Sequence, residues 1–63
     1  MVRKNDVDQM TLTELNTFAS QDLSALQRYA AQLAFVQQLT AQGQTAQAEI
    51  AQQVADAIGQ NLS

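Results

Sequence analysis

Four carboxylates, at Glu14, Asp22, Glu49 and Asp56, and the hydroxyls of Ser20 and Ser24 are the first side chains to weigh for chemistry in this 63-residue chain. A paired-carboxylate mechanism needs two acids converging on one cleft. These four are spread over segments too short to enclose a pocket. A serine nucleophile needs a base beside it. The sequence has no His and no Cys, so triads and dyads are excluded, and the remaining activator would be Lys4, in a segment without helical period. The same two absences remove disulfides, and a zinc site would have to be built from carboxylates alone, against that ion's preference for nitrogen and sulfur ligands. Gly-rich phosphate loops, dinucleotide fingerprints and calcium loops are missing as well. The expectation is a non-enzymatic protein with no catalytic, metal-binding or cofactor-binding residues.

Charge narrows the partners. The net charge is −3, with Arg3, Lys4 and Arg28 set against Asp6, Asp8, Glu14, Asp22, Glu49 and Asp56. Non-specific affinity for nucleic acid comes mainly from Lys and Arg neutralising phosphates, and three cations supply little of it. An anionic membrane surface would call for a polybasic face. Arg28 has no acid three or four positions away, so it is expected in solvent. Acids interrupt the first twenty residues where a leader would need an apolar run, and no stretch approaches the ~18 apolar residues of a membrane span. A soluble, cytoplasmic protein is expected.

The elements that must position these residues read as helices. There is no Pro, the only glycines are Gly43 and Gly59, and Ala, Gln and Leu dominate. Twelve Gln residues make the surface unusually rich in amides, a composition that fits uncharged helix formers on solvated positions. The competing reading is that hydrogen bonds of these Gln residues between helices set a partner or form an aggregation-prone face. Residues 1–10 show no helical period and are expected as a disordered arm. Thr11-Leu12-Thr13-Glu14 fits a capping box, which predicts a helix start. From there Leu12, Leu15, Ala19, Leu23, Leu26, Ala30, Leu33 and Val36 hold a 3.6-residue period without losing phase, compatible with one helix. Ser20-Gln21-Asp22 supplies an internal N-cap with an acid in the first turn. The reading taken is two helices, about 11–19 and about 21–42.

Gly43 is placed to end the long helix, and Thr45 to cap another over about 45–58, closed by Gly59. The buried stripe predicted for this last helix is Ala46, Ile50, Val54, Ala57 and Ile58, with Leu62 beyond it. A link of two or three residues makes the pair antiparallel. The predicted fold is thus all-α: a helical hairpin preceded by a short helix, one domain over 11–63. Ala30, Ala31, Ala34, Ala48, Ala51 and Ala55 would let backbones approach closely.

Leu26, Tyr29, Leu33, Val36 and Thr40 step by three and four, the spacing of knobs-into-holes positions. Phe35 and Leu39 widen that stripe beyond what one hairpin interface covers. A chain this short is marginal without staples or self-association, reaching roughly 3–5 kcal/mol. Two hairpins paired into a dimeric four-helix bundle would cover the surplus. The predicted interface residues are Leu26, Tyr29, Leu33, Phe35, Val36, Leu39, Ile50 and Val54. The predicted function is a homodimeric protein-interaction module, an adaptor or inhibitor of another protein. The alternative is an oligomeric regulator of transcription or RNA, with Arg3, Lys4 and Arg28 brought together by symmetry.

Overall fold

The computed structural model describes residues 2–21 and 24–62. Among these residues all regular structure is helical: α1 (Lys4–Asp8), α2 (Leu12–Ala19), α3 (Ala25–Ala41) and α4 (Thr45–Gln60). None of the helices is long and apolar enough to cross a membrane. The central element is α3, against which α2, α4 and, to a smaller extent, α1 pack.

The Thr11 capping box forms as its sequence predicts. The Glu14 amide donates to Thr11 Oγ1 at 3.3 Å, and the Thr11 amide donates to Glu14 Oε1 at 3.0 Å. At the other end of α2, Ser20 is a terminator and not the cap of the next helix. Its amide bonds back to the Asn16 carbonyl at 3.2 Å, and its hydroxyl donates to the Thr17 carbonyl at 2.8 Å. With that hydroxyl engaged, Ser24 takes the capping role, accepting from the Gln27 amide at 3.2 Å, so α3 begins at Ala25 and not near Gln21. Asp22, expected in the first turn, and Leu23, expected in the apolar stripe, lie outside the described residues.

Gly43 ends α3 as expected, at φ 78°. The Gln44 amide reaches back to the Leu39 carbonyl at 2.9 Å and the Gly43 amide to Thr40 at 3.0 Å, the paired bonds of a Schellman motif. The N-cap of α4 is Gln44, whose side chain donates to Gln42 Oε1 at 3.3 Å and makes no capping bond, and Thr45 is the first helical residue. The hairpin is antiparallel: Leu39 clusters with Ala48 and Ala51, Gln32 bonds to the Ala51 backbone, and Tyr29 lies against Gly59.

Three further expectations are corrected. Residues 1–10, read as a disordered arm, contain α1. The Arg3 amide donates to Asp6 Oδ2 at 3.0 Å at its start, and Val7 is fully buried among core residues that include Leu15, Tyr29 and Ala30. The buried side of α4 is also different. Ala48, Ala51, Ala55 and Gly59 face α3, whereas Ala46, Ile50, Val54 and Ala57 are exposed and Ile58 is half-buried. Small residues at steps of three and four let the two backbones close up, and that rotates the β-branched residues outward. Gly59 lies within α4 and does not terminate it, since the helix runs on to Gln60.

Candidate protein-interaction face

The α3–α4 pair has its apolar seam on one side and α1 and α2 stacked across α3. What stays uncovered is the opposite side, where Phe35 is 50% exposed, Ile50 63% and Val54 47%. The register follows from the seam. Gln32 Nε2 donates to the Ala51 carbonyl at 3.0 Å, which levels position 32 with position 51. Phe35, one turn above Gln32, then stands beside Ile50, and Val54, one turn beyond Ala51, lies one turn further along the same side. Together with the buried Leu39 and Ala51, these three side chains line a shallow depression of about 320 Å³, edged by the amides of Gln32 and Gln47. Gln32 thus makes one amide bond between helices of the same chain. Gln52 bonds within its own helix, to Asp56.

The eight predicted interface residues separate into three groups. Tyr29 and Leu39 are buried in the core, and Leu26, Leu33 and Val36 are half-buried against it. The three- and four-residue spacing along α3 therefore meets α1, α2 and α4 of the same chain. Phe35, Ile50 and Val54 are the ones brought together in the open.

On the other side of α4 lies a polar cluster that the sequence reading missed. Asp8 of α1 accepts a short hydrogen bond from the Tyr29 hydroxyl and a 3.0 Å salt bridge from Lys4. The Lys4 ammonium also sits 5.6 Å from the centre of the Tyr29 ring, within cation–π range. A depression of about 400 Å³ lies here, lined by these residues together with Gln52 and Asp56. The one signal for it in the sequence was the i,i+4 spacing of Lys4 and Asp8, a weak helix marker in a segment without an apolar stripe.

The protonation behaviour of this cluster suits a fastening. Burial pushes the Tyr29 hydroxyl above its ordinary value, and the Asp8 carboxylate adds to the effect. Burial works to raise Asp8, but the Tyr29 hydroxyl and the Lys4 ammonium outweigh it and hold the carboxyl low. Lys4 is raised, first by its bond to Asp8 and then by Tyr29. Glu14 is lowered by the amide and the hydroxyl of Thr11. All four shifts lead away from neutrality, whereas a general acid or base needs a value near the working pH. Among the described residues no three His, Cys, Asp or Glu side chains converge as a metal site would require.

Arg3 and Arg28 are exposed, and Lys4 is paired with Asp8. Comparison with protein-family descriptions, curated proteins and solved structures finds no match for this chain.

Proposed function

We propose that this chain is a small, non-catalytic protein-interaction module that works through the open face of α3 and α4. The observation that carries the reading is the grouping of Phe35, Ile50 and Val54, three large apolar side chains each about half or more exposed, on adjacent helices. Fully covering a side chain of this size contributes about 1.5–3 kcal/mol. Contiguous apolar surface of this kind marks interaction sites more often than single exposed residues do. The titration of Lys4, Asp8, Glu14 and Tyr29 away from neutrality supports a role without chemistry. A cytoplasmic location belongs to the same proposal.

The dimeric four-helix bundle expected from the sequence has less to cover, because α1 and α2 already pack on α3 within one chain. A second copy would have to pair across the Phe35–Ile50–Val54 face alone. Sedimentation velocity from micromolar to millimolar concentration tests that pairing. A concentration-independent monomer removes the homodimer and leaves the face for a different protein.

The decisive comparison for the module itself uses the chain and its Ile50→Asp, Val54→Asp variant, which alters exposed positions only. Both are used as baits in the native host, with co-purified proteins quantified. The expected result is a partner, or a self-association, that the wild-type chain makes and the variant loses while keeping the same helical content. Equal recovery with both baits, together with identical sedimentation, would remove the reading.

A further inference from the structure

The apolar depression beside Phe35 has a neighbour beyond Val54. One helical turn further along each helix, at Arg28 on α3 and Ile58 on α4, a second depression of about 310 Å³ opens, lined also by Ala25 and Leu62. The steps from Gln32 to Arg28 and from Val54 to Ile58 are both i,i+4, so the two depressions follow one another along the same side of the helix pair, taken as one groove. From Ala25 to Leu39 the groove spans about 21 Å at 1.5 Å per residue, the length of roughly four turns of a docked helix.

Its charge is one-sided. Across its whole length α3 contains no acid, and Arg28 stands two turns from Phe35 on the same stripe, exposed. Among the described residues Arg28 makes no ion pair. The two acids of α4 face elsewhere: Asp56 lies with Lys4 and Tyr29 on the far side, and Glu49 is turned about 100° from Ile50 and about 140° from Val54. Among the described residues no carboxylate lines either stretch of the groove.

Resting on the interaction reading above, we propose that this groove holds an amphipathic helix of a different protein, with carboxylates flanking its apolar stripe. Helices dock into grooves between helices through i, i+3, i+4 and i+7 anchors. Phe35, Ile50 and Val54 provide the apolar contact, and Arg28 at the far end reads the charge and with it the direction of the bound helix. A second copy of this chain, applied through the same face, brings a second Arg28 and, among the described residues, no acid to meet the first. One cation beside an apolar groove gives nucleic acid little to hold. Charges at the rim of an interface act mainly through partner choice and association rate, which is the role assigned to Arg28.

The test is a display selection from 18-residue Ala-based helices, with Leu fixed along one stripe and Glu, Lys or Gln varied at the flanks. Selected and charge-swapped peptides are then titrated by fluorescence polarisation against the whole chain. Wild-type protein is expected to enrich Glu on one flank and to bind the Glu peptide about fivefold more tightly than its Lys counterpart at low salt, less so at high salt. Arg28→Glu is expected to turn the preference to Lys. Phe35→Asp and Val54→Asp are expected to lose peptides of either charge.

Selection without a charge preference, or a preference that Arg28→Glu leaves in place, overturns the acidic-helix proposal while the interaction face survives through the Phe35 and Val54 variants. Absence of any binder, or binders indifferent to those two variants, overturns both. A stable dimer that shields Phe35 puts a second copy in the groove and overturns the proposal, leaving the face as an interface.

Discussion

The Tyr29 hydroxyl donates to the carboxylate of Asp8, 21 positions earlier in the chain, and through this bond α1 is fastened to the middle helix. Besides it, α1 is held by the burial of Val7. Tyr29→Phe keeps the ring and removes the bond, leaving Asp8 to Lys4 and water. The expected loss is about 1.5 kcal/mol, the low end for a bond to a charged acceptor, because Asp8 is partly exposed. Hydrogen exchange locates it: amides of α1 should exchange faster while those at the centre of α3 follow global unfolding. Uniform acceleration over all four helices would show that α1 does not open separately.

Stability should fall on both sides of a neutral plateau. Asp8 and Glu14 sit below their ordinary values of 3.8 and 4.5, so their contribution is complete above those values and disappears as the pH drops through the folded ones. Lys4 and Tyr29 sit above 10.5 and 10.0, so theirs is complete below those values and is lost as the pH climbs through the folded ones. Thermal melts followed by circular dichroism should show a flat Tm between about pH 5 and 9, with a decline on either side. Tyr29→Phe should shallow the alkaline decline, and an unchanged alkaline limb in that variant would contradict the assignment.

Gly59 should resist even the smallest enlargement. A methyl group there would lie 3.0 Å from Lys4 Cε and 3.1 Å from Tyr29 Cε1. The lysine chain can shift, but the tyrosine ring is held at its hydroxyl by Asp8. Alanine gains about 1 kcal/mol in helix propensity, while overpacking costs about 1–3 kcal/mol. Gly59→Ala is therefore expected to be destabilising by about 1 kcal/mol, read as a lower urea midpoint with unchanged slope. A stabilised variant would mean that the ring moves freely.

The two serines between α2 and α3 should respond unequally. Ser24→Ala removes an N-cap bond and is expected to cost about 1 kcal/mol. Ser20→Ala removes an exposed hydroxyl contact with Thr17 and is expected to stay within about 0.5 kcal/mol. Equal losses in chemical denaturation would place a helix start at Ser20 after all.

How far these features were legible depends on whether the signal was local. The Thr11–Glu14 box and the Gly43 stop need only neighbouring residues, and both formed where their spacing put them. Ser20 was expected as the internal cap, but its hydroxyl reaches back to the Thr17 carbonyl of α2, and Ser24 caps α3. The orientation of α4 was misread because its large residues, Ile50 and Val54, were expected inside by hydrophobicity alone. In a closely approached pair the size of the side chain at the contact decides, and alanine fits where isoleucine would force the helices apart. The fastening of α1 was illegible since its partner, Tyr29, lies far along the sequence.

The alanine and glycine seam of the hairpin has a consequence for how such a protein can diversify. Ala48, Ala51, Ala55 and Gly59 set the distance between the helices, and nearly every replacement there enlarges a side chain. Phe35, Ile50 and Val54 contribute little to that seam. Folding and recognition are thereby written in separate sets of positions, so the outward set is free to drift toward new binding preferences while the scaffold beneath it keeps its shape.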